Sequence, residues 1–340
     1  MAYGLRSIPA ILQIIDWMEE YSPNAWMINY SNTIAIVAEA CRRLRPNAKV
    51  INICDMPIDD MDRMAAICGL DSWHDIDFNY YGLNHFGWWK EVRNKKTGED
   101  LMPKLKEYVK EHGYWVGGDY DKDTEASWEA TFKKVADEYK LEPETLPNNY
   151  MQYYYFPQYE VANADPKHTR TDEIREHRQK IVFGECERIV KVGTAKNNIW
   201  DISGLHSEYI VDICHAIAFN THEKFLANCA NNGAISNMDP DSIVEVPALF
   251  GADGIQPMAT GKAGRFQRGL MMEQQTCEKL VVDAYVEHSY NKMLQAFALN
   301  KTVPDASVAK KILDDMIPVN APYWPCLLYT SDAADEGLGV

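Results

Sequence analysis

Apolar and polar positions recur along the first 70 residues with spacings that predict three helices and two strands. Residues 4–22, 34–44 and 59–68 carry apolar side chains at near-helical spacing. Two short apolar runs between them, residues 25–29 and 49–53, are typical of buried strands. The resulting helix–strand–helix–strand–helix order predicts a parallel sheet with helical crossovers, and therefore an α/β fold.

The hydrophobic pattern beyond residue 75 is mixed. Strands are predicted around residues 80–82 and 242–247. Helices are predicted over residues 123–139, 171–192, 210–229, 270–299 and 308–316. We therefore expect a second region of α+β character.

The start of the chain departs from a doubly wound nucleotide-binding domain. Such a domain opens with a strand, a glycine-rich turn and a helix. Here no strand is predicted before the first helix, and no GxGxxG occurs anywhere in the chain. The expected fold is thus an incomplete Rossmann-like parallel sheet, with its first half missing.

Composition narrows the class of protein. The 340 residues are 46% hydrophobic, which is enough for a sizeable core. A net charge of −16 argues against nucleic-acid binding, and no apolar run reaches the roughly 18 to 20 residues of a membrane helix. The eight cysteines form no CxxC pair, and no secretory signal is evident. We expect a cytoplasmic protein with reduced thiols and no membrane partner.

Candidate chemistry lies at the end of the second predicted strand, where ligands bind in open α/β sheets. Cys54 and Asp55 follow that strand, and His85 lies in a later aromatic run. A thiolate and an imidazole suit a borderline-soft divalent metal. Taken alone, an aspartate at a strand end is more often a helix cap, and a histidine near aromatics is more often a core residue.

Five motifs occur in one order along the chain: NYSN at 29–32, NICDMP at 52–57, YGLNHFGWW at 81–89, LPNNY at 146–150 and HTR at 168–170. Together they resemble glycoside hydrolase family 4, and within it the members that act on 6-phospho-α-glucosides. The resemblance covers residues 2–325.

This resemblance implies an unusual hydrolysis, because family 4 is an NAD-dependent exception among glycosidases. The sugar is transiently oxidised at C3, a proton is taken from C2, the aglycone leaves and water is added. NAD and a divalent metal, usually Mn²⁺, are the implied cofactors. The implied partner is a phosphorylated disaccharide, and the full-length protein is expected to form a homodimer or homotetramer.

The same resemblance implies a domain division and a set of site residues. Residues 1–75 would be the remaining half of a dinucleotide-binding domain. Residues 76–325 would form a substrate- and metal-binding domain similar to the C-terminal domain of lactate and malate dehydrogenases. The implied roles are metal ligation by Cys54 and His85, acid catalysis by Asp55, base catalysis by Tyr150, and substrate binding by Asn32 and Arg170.

Several of these residues can also be interpreted as having ordinary structural roles. Asn32 would cap a helix, and Arg170 would be a solvated residue at a helix start. Tyr150 lies in a tyrosine-rich stretch that could simply pack. His168 is a possible second substrate contact.

Some alternatives stay open within and outside the family. Thr33 stands where the family usually has proline, which leaves fine specificity open. Asp55 favours α-linked substrates, because relatives that act on 6-phospho-β-glucosides typically have asparagine there. The other interpretations are a 6-phospho-β-glucosidase, an α-galactosidase, a 2-hydroxy-acid dehydrogenase and an inactive binding fragment.

Both ends of the chain carry expectations of their own. About 115 residues of the family pattern, including its glycine-rich turn, have no counterpart here, so the residues that bind NAD are not assigned. We expect a truncated chain that is inactive and prone to insolubility. Residues 326–340 resemble a translated sequencing adapter, and we expect them to be an artefact without biological role.

Overall fold

The computed structural model describes residues 1–122, 124–193, 204–324 and 327. The strands are β1 Met27–Asn29, β2 Val50–Asn52, β3 Ile76–Leu83, β4 Phe86–Asn94, β5 Leu146–Pro147, β6 Glu223–Ala230, β7 Ile243–Gly251 and β8 Gly254–Pro257. The helices of the first half are α1 Ala2–Tyr21, α2 Ile34–Leu44, α3 Met56–Cys68, α4 Met102–His112, α5 Ala126–Leu141, α6 Gln152–Tyr155 and α7 Pro157–Asn163. Those of the second half are α8 Arg170–Glu176, α9 Arg178–Val192, α10 Gly204–Phe219, α11 Arg265–Glu287, α12 Tyr290–Leu299 and α13 Ala306–Asn320.

The strands form one mixed sheet in the order β1-β2-β6-β7-β3-β4-β5, and β8 pairs with β7. β1 and β2 are parallel, as their helical crossover predicts, whereas every other pair is antiparallel. The predicted α/β class is confirmed. The sheet runs without a break from the first predicted region into the second, because β2 pairs with β6.

The two faces of the sheet pack into different parts of the core. Tyr80 and Trp89, which are paired across β3 and β4, belong to a core cluster that also holds side chains of α3, α4, α5 and α10. Their neighbours Tyr81 and Trp88 point to the opposite face and pack against Met271 of α11. This alternation follows from the two-residue period of a strand.

Three predicted helices end early or divide in the structure. The helix predicted over 210–229 is wrong in its second half, because α10 ends at Phe219 and β6 begins at Glu223. Asn220 and His222 between them have positive φ angles, which a continuing helix does not allow. The stretch 270–299 divides at His288, which is also left-handed, and the stretch 171–192 divides at His177.

The remaining features concern membranes, thiols and the chain end. Among the described helices, none combines the length and apolar character needed to span a bilayer. The described cysteines form no disulfide. Of the segment expected to be an artefact, Leu327 is described and buried, and residues 326 and 328–340 lie outside the described part.

Candidate active site

Cys54 and His85 meet at one end of the sheet. The Cys54 Sγ lies 3.3 Å from the His85 Nε2, although the two residues come from different strand ends. Cys54 follows β2, and His85 lies in the turn between β3 and β4. The pairing of a thiol with an imidazole predicted from the sequence is therefore present in the folded chain.

The backbone around Cys54 explains why the thiol is buried. The strand β2 ends at Asn52, and α3 begins at Met56, so Cys54 lies in the short turn between them and is buried. Burial and the nearby carboxylates of Glu245 and Asp55 raise the pKa of the thiol well above its usual range. A bound cation is thus needed to favour the thiolate.

His85 occupies an unusual backbone position. Its φ is +60°, in the left-handed region that few residues other than glycine adopt. Burial lowers the pKa of its imidazole to about 4, although the Asp55 carboxylate acts in the opposite direction. The ring is therefore neutral near pH 7, which is the form that ligates a metal.

Asp55 takes the N-cap position of α3 but makes no capping hydrogen bond with its side chain. The helix-cap reading left open by the sequence is therefore wrong for its carboxylate. That group faces Tyr30 instead, since burial, the Asp55 charge and a hydrogen bond to Asp55 all raise the pKa of the Tyr30 phenol. Sequence reasoning missed Tyr30, although it lies in the NYSN motif two residues before Asn32.

Tyr150 packs directly on His85. Their ring centroids are 4.3 Å apart. The short 3-10 helix Asn149–Met151 carries Tyr150, and the Asn148 side chain caps this helix by accepting from the Tyr150 amide at 3.0 Å. Burial, together with Cys54, raises the pKa of the phenol far above its ordinary value. As a base it would need a positive charge nearby.

A buried carboxylate that the sequence did not single out lies behind the thiol. Glu245 of β7 accepts hydrogen bonds from Asn228 at 2.9 Å, Tyr80 at 3.1 Å and Asn84 at 3.4 Å. Burial raises its pKa to about 7. The sequence signal was weak, because a single glutamate in the apolar run IVEVP reads as one polar position of a strand.

Arg170 lies beside this cluster but is occupied by acidic partners. Its guanidinium contacts Glu125 at 2.9 Å and Glu173 at 2.5 Å. It also lies 5.5 Å from the ring of Trp128, whose centroid is 6.1 Å from that of Tyr150. Trp128 thus lies near both Arg170 and Tyr150. The guanidinium is partly exposed to solvent, so an anion can reach it.

The two other predicted substrate contacts are exposed. Asn32 lies after β1, and its backbone carbonyl accepts a hydrogen bond from the Ser7 hydroxyl at 3.3 Å. His168 pairs with Glu176 at 3.0 Å on the surface. Asn32 thus lies at the same end of the sheet as Cys54, because β1 and β2 are parallel neighbours. Nothing in the contacts of His168 connects it to the cluster.

The donor set fits a divalent metal. A thiolate and a neutral imidazole 3.3 Å apart can both ligate one borderline-soft ion. In the described ranges, no group of three or more His, Cys, Asp and Glu side chains could hold a metal. As two ligands, Cys54 and His85 would leave coordination positions open for oxygen atoms of a substrate.

The comparisons with known proteins identify the family. A family model for family 4 glycosyl hydrolases matches residues 1–70, and a model for the family 4 glycosyl hydrolase C-terminal domain matches residues 80–303. The chain belongs to glycoside hydrolase family 4. Its membership confirms the resemblance read from the five motifs.

Relatives within family 4 are similar over nearly the whole chain. The 6-phospho-alpha-glucosidase 1 of Lacticaseibacillus paracasei is 59% identical over 325 residues, which are 96% of this chain and 73% of the relative. A crystal structure of a 6-phospho-alpha-glucosidase from gut microorganisms in complex with NAD and Mn²⁺ has a TM-score of 0.88 and 41% identity. The match covers 95% of this chain and 73% of the chain in that structure.

A second crystal structure of a 6-phospho-alpha-glucosidase from gut microorganisms is in complex with NAD and glucose-6-phosphate. It has a TM-score of 0.90 and 40% identity, and it covers 96% of this chain and 73% of the other. At this identity the family 4 fold and its glycosidase class extend to the present chain.

Proposed function

We propose that this family 4 enzyme hydrolyses 6-phospho-α-D-glucosides of the maltose 6'-phosphate type with NAD and a divalent metal, Mn²⁺ by preference. The observation that carries the proposal is the Cys54–His85 pair, with its 3.3 Å separation at the ligand-binding end of the sheet. The relatives named above support the substrate class and both cofactors.

Cys54 and His85 would hold the metal. When bound, the nicotinamide and the metal supply transient oxidation at C3 of the sugar and acidification of its C2 proton. Tyr150 lies against His85 and would accept that proton at its phenolic oxygen. The cation would lower the pKa of the phenol, which burial otherwise raises.

Asp55 would protonate the leaving oxygen of the aglycone. The carboxylate follows the metal ligand Cys54 directly and faces the Tyr30 phenol. A hydrogen bond from Tyr30 would orient the carboxyl group toward the bound sugar. The aspartate at this position also favours α-linked over β-linked substrates.

Arg170 and Asn32 would bind the substrate. A guanidinium suits the 6-phosphate because it donates in a bidentate fork. Phosphate would then compete with Glu125 and Glu173 for Arg170, so that substrate binding exchanges one set of ion pairs for another. Asn32 would contact the sugar from the loop after β1.

The domain division remains a proposal. Residues 1–75 would complete a dinucleotide-binding domain, and residues 76–325 would bind substrate and metal. The boundary is supported by the two family models, which end and begin at residues 70 and 80.

We also propose a cytoplasmic location and a homodimer or homotetramer. Exposed apolar side chains on α9, such as Phe183 and Val190, support self-association.

The test is release of p-nitrophenol from the α-glucoside 6-phosphate. It is run on this chain and on a fusion that adds the part of the L. paracasei relative that this chain does not match. We expect the fusion to require both NAD⁺ and Mn²⁺. Preference for the β-anomer or for unphosphorylated α-galactoside would favour another member of family 4, and net NADH formation would favour a dehydrogenase. If no glycoside is cleaved, the proposal is wrong.

A further inference from the structure

A row of buried polar side chains crosses the sheet beneath the metal ligands. Asn29, Asn52, Asn228 and Glu245 are register partners on β1, β2, β6 and β7 in turn. All four are at most 7% exposed. Interior sheet positions are normally apolar, because a buried polar group costs free energy unless it is hydrogen-bonded. A continuous polar row here calls for an explanation.

Glu245 is the best-satisfied member of the row. It pairs across the sheet with Gly82, and the two residues flanking Gly82 on the same face are Tyr80 and Asn84. The Tyr80 hydroxyl and the Asn84 amide both donate to the Glu245 carboxylate. Asn228 supplies a third donor. Three donors converge on one group, so only an acceptor fits this position.

Asn84 joins this carboxylate to the metal ligands. Its side chain hydrogen-bonds Cys54. Asn84 also directly precedes His85, whose φ of +60° sets the direction of the imidazole. The amide of Asn84 is therefore held by Glu245 on one side and contacts one ligand on the other, and its backbone leads into the second ligand.

We propose that Glu245 is a positioning residue that orients Asn84, and through it Cys54 and His85, for divalent-metal binding. The inference rests on the proposed metal site and adds to it a buried acid that touches neither metal nor substrate. Loss of a partner that orients a metal ligand typically costs about 10–100-fold in metal affinity.

The test measures Mn²⁺ affinity of the 340-residue chain from the EPR signal of free Mn²⁺. Glu245→Gln keeps the shape of the side chain but brings an amide N–H group among three donors. We expect about 10–100-fold weaker Mn²⁺ binding. Glu278→Gln is the matched control, because Glu278 is also buried with a pKa raised to about 7 but lies on α11 beside Gln274. It should bind Mn²⁺ as the unaltered chain does.

A second variant tests the connection itself and does not depend on the folding of Glu245→Gln. Asn84→Ala removes the amide and leaves the carboxylate in place, and we expect a similar loss of affinity. If Glu245 acts through Asn84, the double variant should bind no more weakly than the weaker single variant. With Co²⁺ as the probe, each single variant should also alter the thiolate-to-cobalt charge-transfer band.

The outcomes separate this inference from the proposed function. If Cys54→Ser abolishes Mn²⁺ binding while Glu245→Gln and Asn84→Ala bind as tightly as the unaltered chain, the positioning role is wrong and the metal site stands. Additive losses in the double variant would also overturn it. If Cys54→Ser binds as well as the unaltered chain, the metal site fails and the role of Glu245 fails with it.

Discussion

Two regions of the molecule hold the candidate catalytic groups in different ways. Cys54, His85 and Tyr150 lie at strand ends and turns, buried or partly buried against a continuous sheet. Arg170 lies at the start of a seven-residue helix and is bound to two partly buried acids. The first region keeps its geometry through packing and backbone hydrogen bonds. The second has ion pairs that a phosphate can replace.

This difference indicates that the first region serves metal binding and proton transfer and the second serves anion binding. Metal binding and proton transfer need fixed distances, and a sheet interior supplies them because few side-chain arrangements fit a close-packed core. Anion binding tolerates rearrangement, because charge attracts over longer distances. The variants below are chosen to break one region while leaving the other intact.

The largest effect should come from Tyr150→Phe. It removes the phenolic oxygen while keeping the ring on His85, so we expect kcat to fall by about 10²- to 10⁴-fold. Mn²⁺ affinity and KM should change little. Tyr153→Phe is a suitable control, since its ring lies next to Tyr150. A stopped assay of p-nitrophenol release by the fusion with the L. paracasei segment, run with and without Mn²⁺, measures kcat. Unchanged turnover would exclude Tyr150 as the base.

Cys54→Ser should break the metal site itself. Loss of a residue that merely orients a ligand costs about 10–100-fold in affinity, and loss of a ligand should cost at least that much. Isothermal titration with Mn²⁺ gives the dissociation constant. Cys68→Ser, at the far end of α3, should bind Mn²⁺ normally. Equal binding by both variants would mean that the thiol at position 54 is not a ligand.

Glu278→Gln tests how the free energy of unfolding depends on pH at a buried acid that lies outside both regions. Burial raises the pKa of Glu278 to about 7, above the 4.5 of an exposed glutamate. As the pH rises from about 4.5 to 7, the unfolded chain releases this proton first, so the free energy of unfolding falls, by up to about 3 kcal/mol. The variant should flatten that slope in urea unfolding at pH 5 and pH 7.5. An equally steep slope would contradict the shift.

A smaller effect should come from Arg170→Lys. A lysine keeps the charge but loses the bidentate fork, so KM for the 6-phosphate should rise about tenfold, equivalent to about 1.4 kcal/mol. The value of kcat and Mn²⁺ affinity should stay near those of the unaltered protein.

Glu125→Gln tests the same exchange from the opposite side. It removes one acidic competitor, so KM should fall or stay constant. Arg188→Lys, whose arginine pairs with Glu185 on α9, is the control for a surface ion pair. A rise of KM in Glu125→Gln would show that the ion pair positions Arg170 rather than competing with the phosphate.

The elements that sequence predicted best are those with strong local signals. Helices α1, α2 and α3 and strands β1 and β2 were expected from periodicity, because each carries one clear apolar face or a short buried run. The helix predicted over 210–229 failed at its second half. The apolar run in β6 is buried, and periodicity alone does not separate a buried strand from a buried helix.

The amino-acid sequence by itself determined the family, through the order and spacing of five motifs, and with it the candidate residues Cys54, His85, Asp55 and Tyr150. It could not show that Asp55 faces Tyr30 instead of capping its helix, or that Arg170 is bound by acids from two helical segments. Only the tertiary structure brought Tyr80 and Asn84 to the Glu245 carboxylate. Those contacts depend on the pairing of β7 with β3 over more than 150 residues, and local propensities carry no information about such pairings.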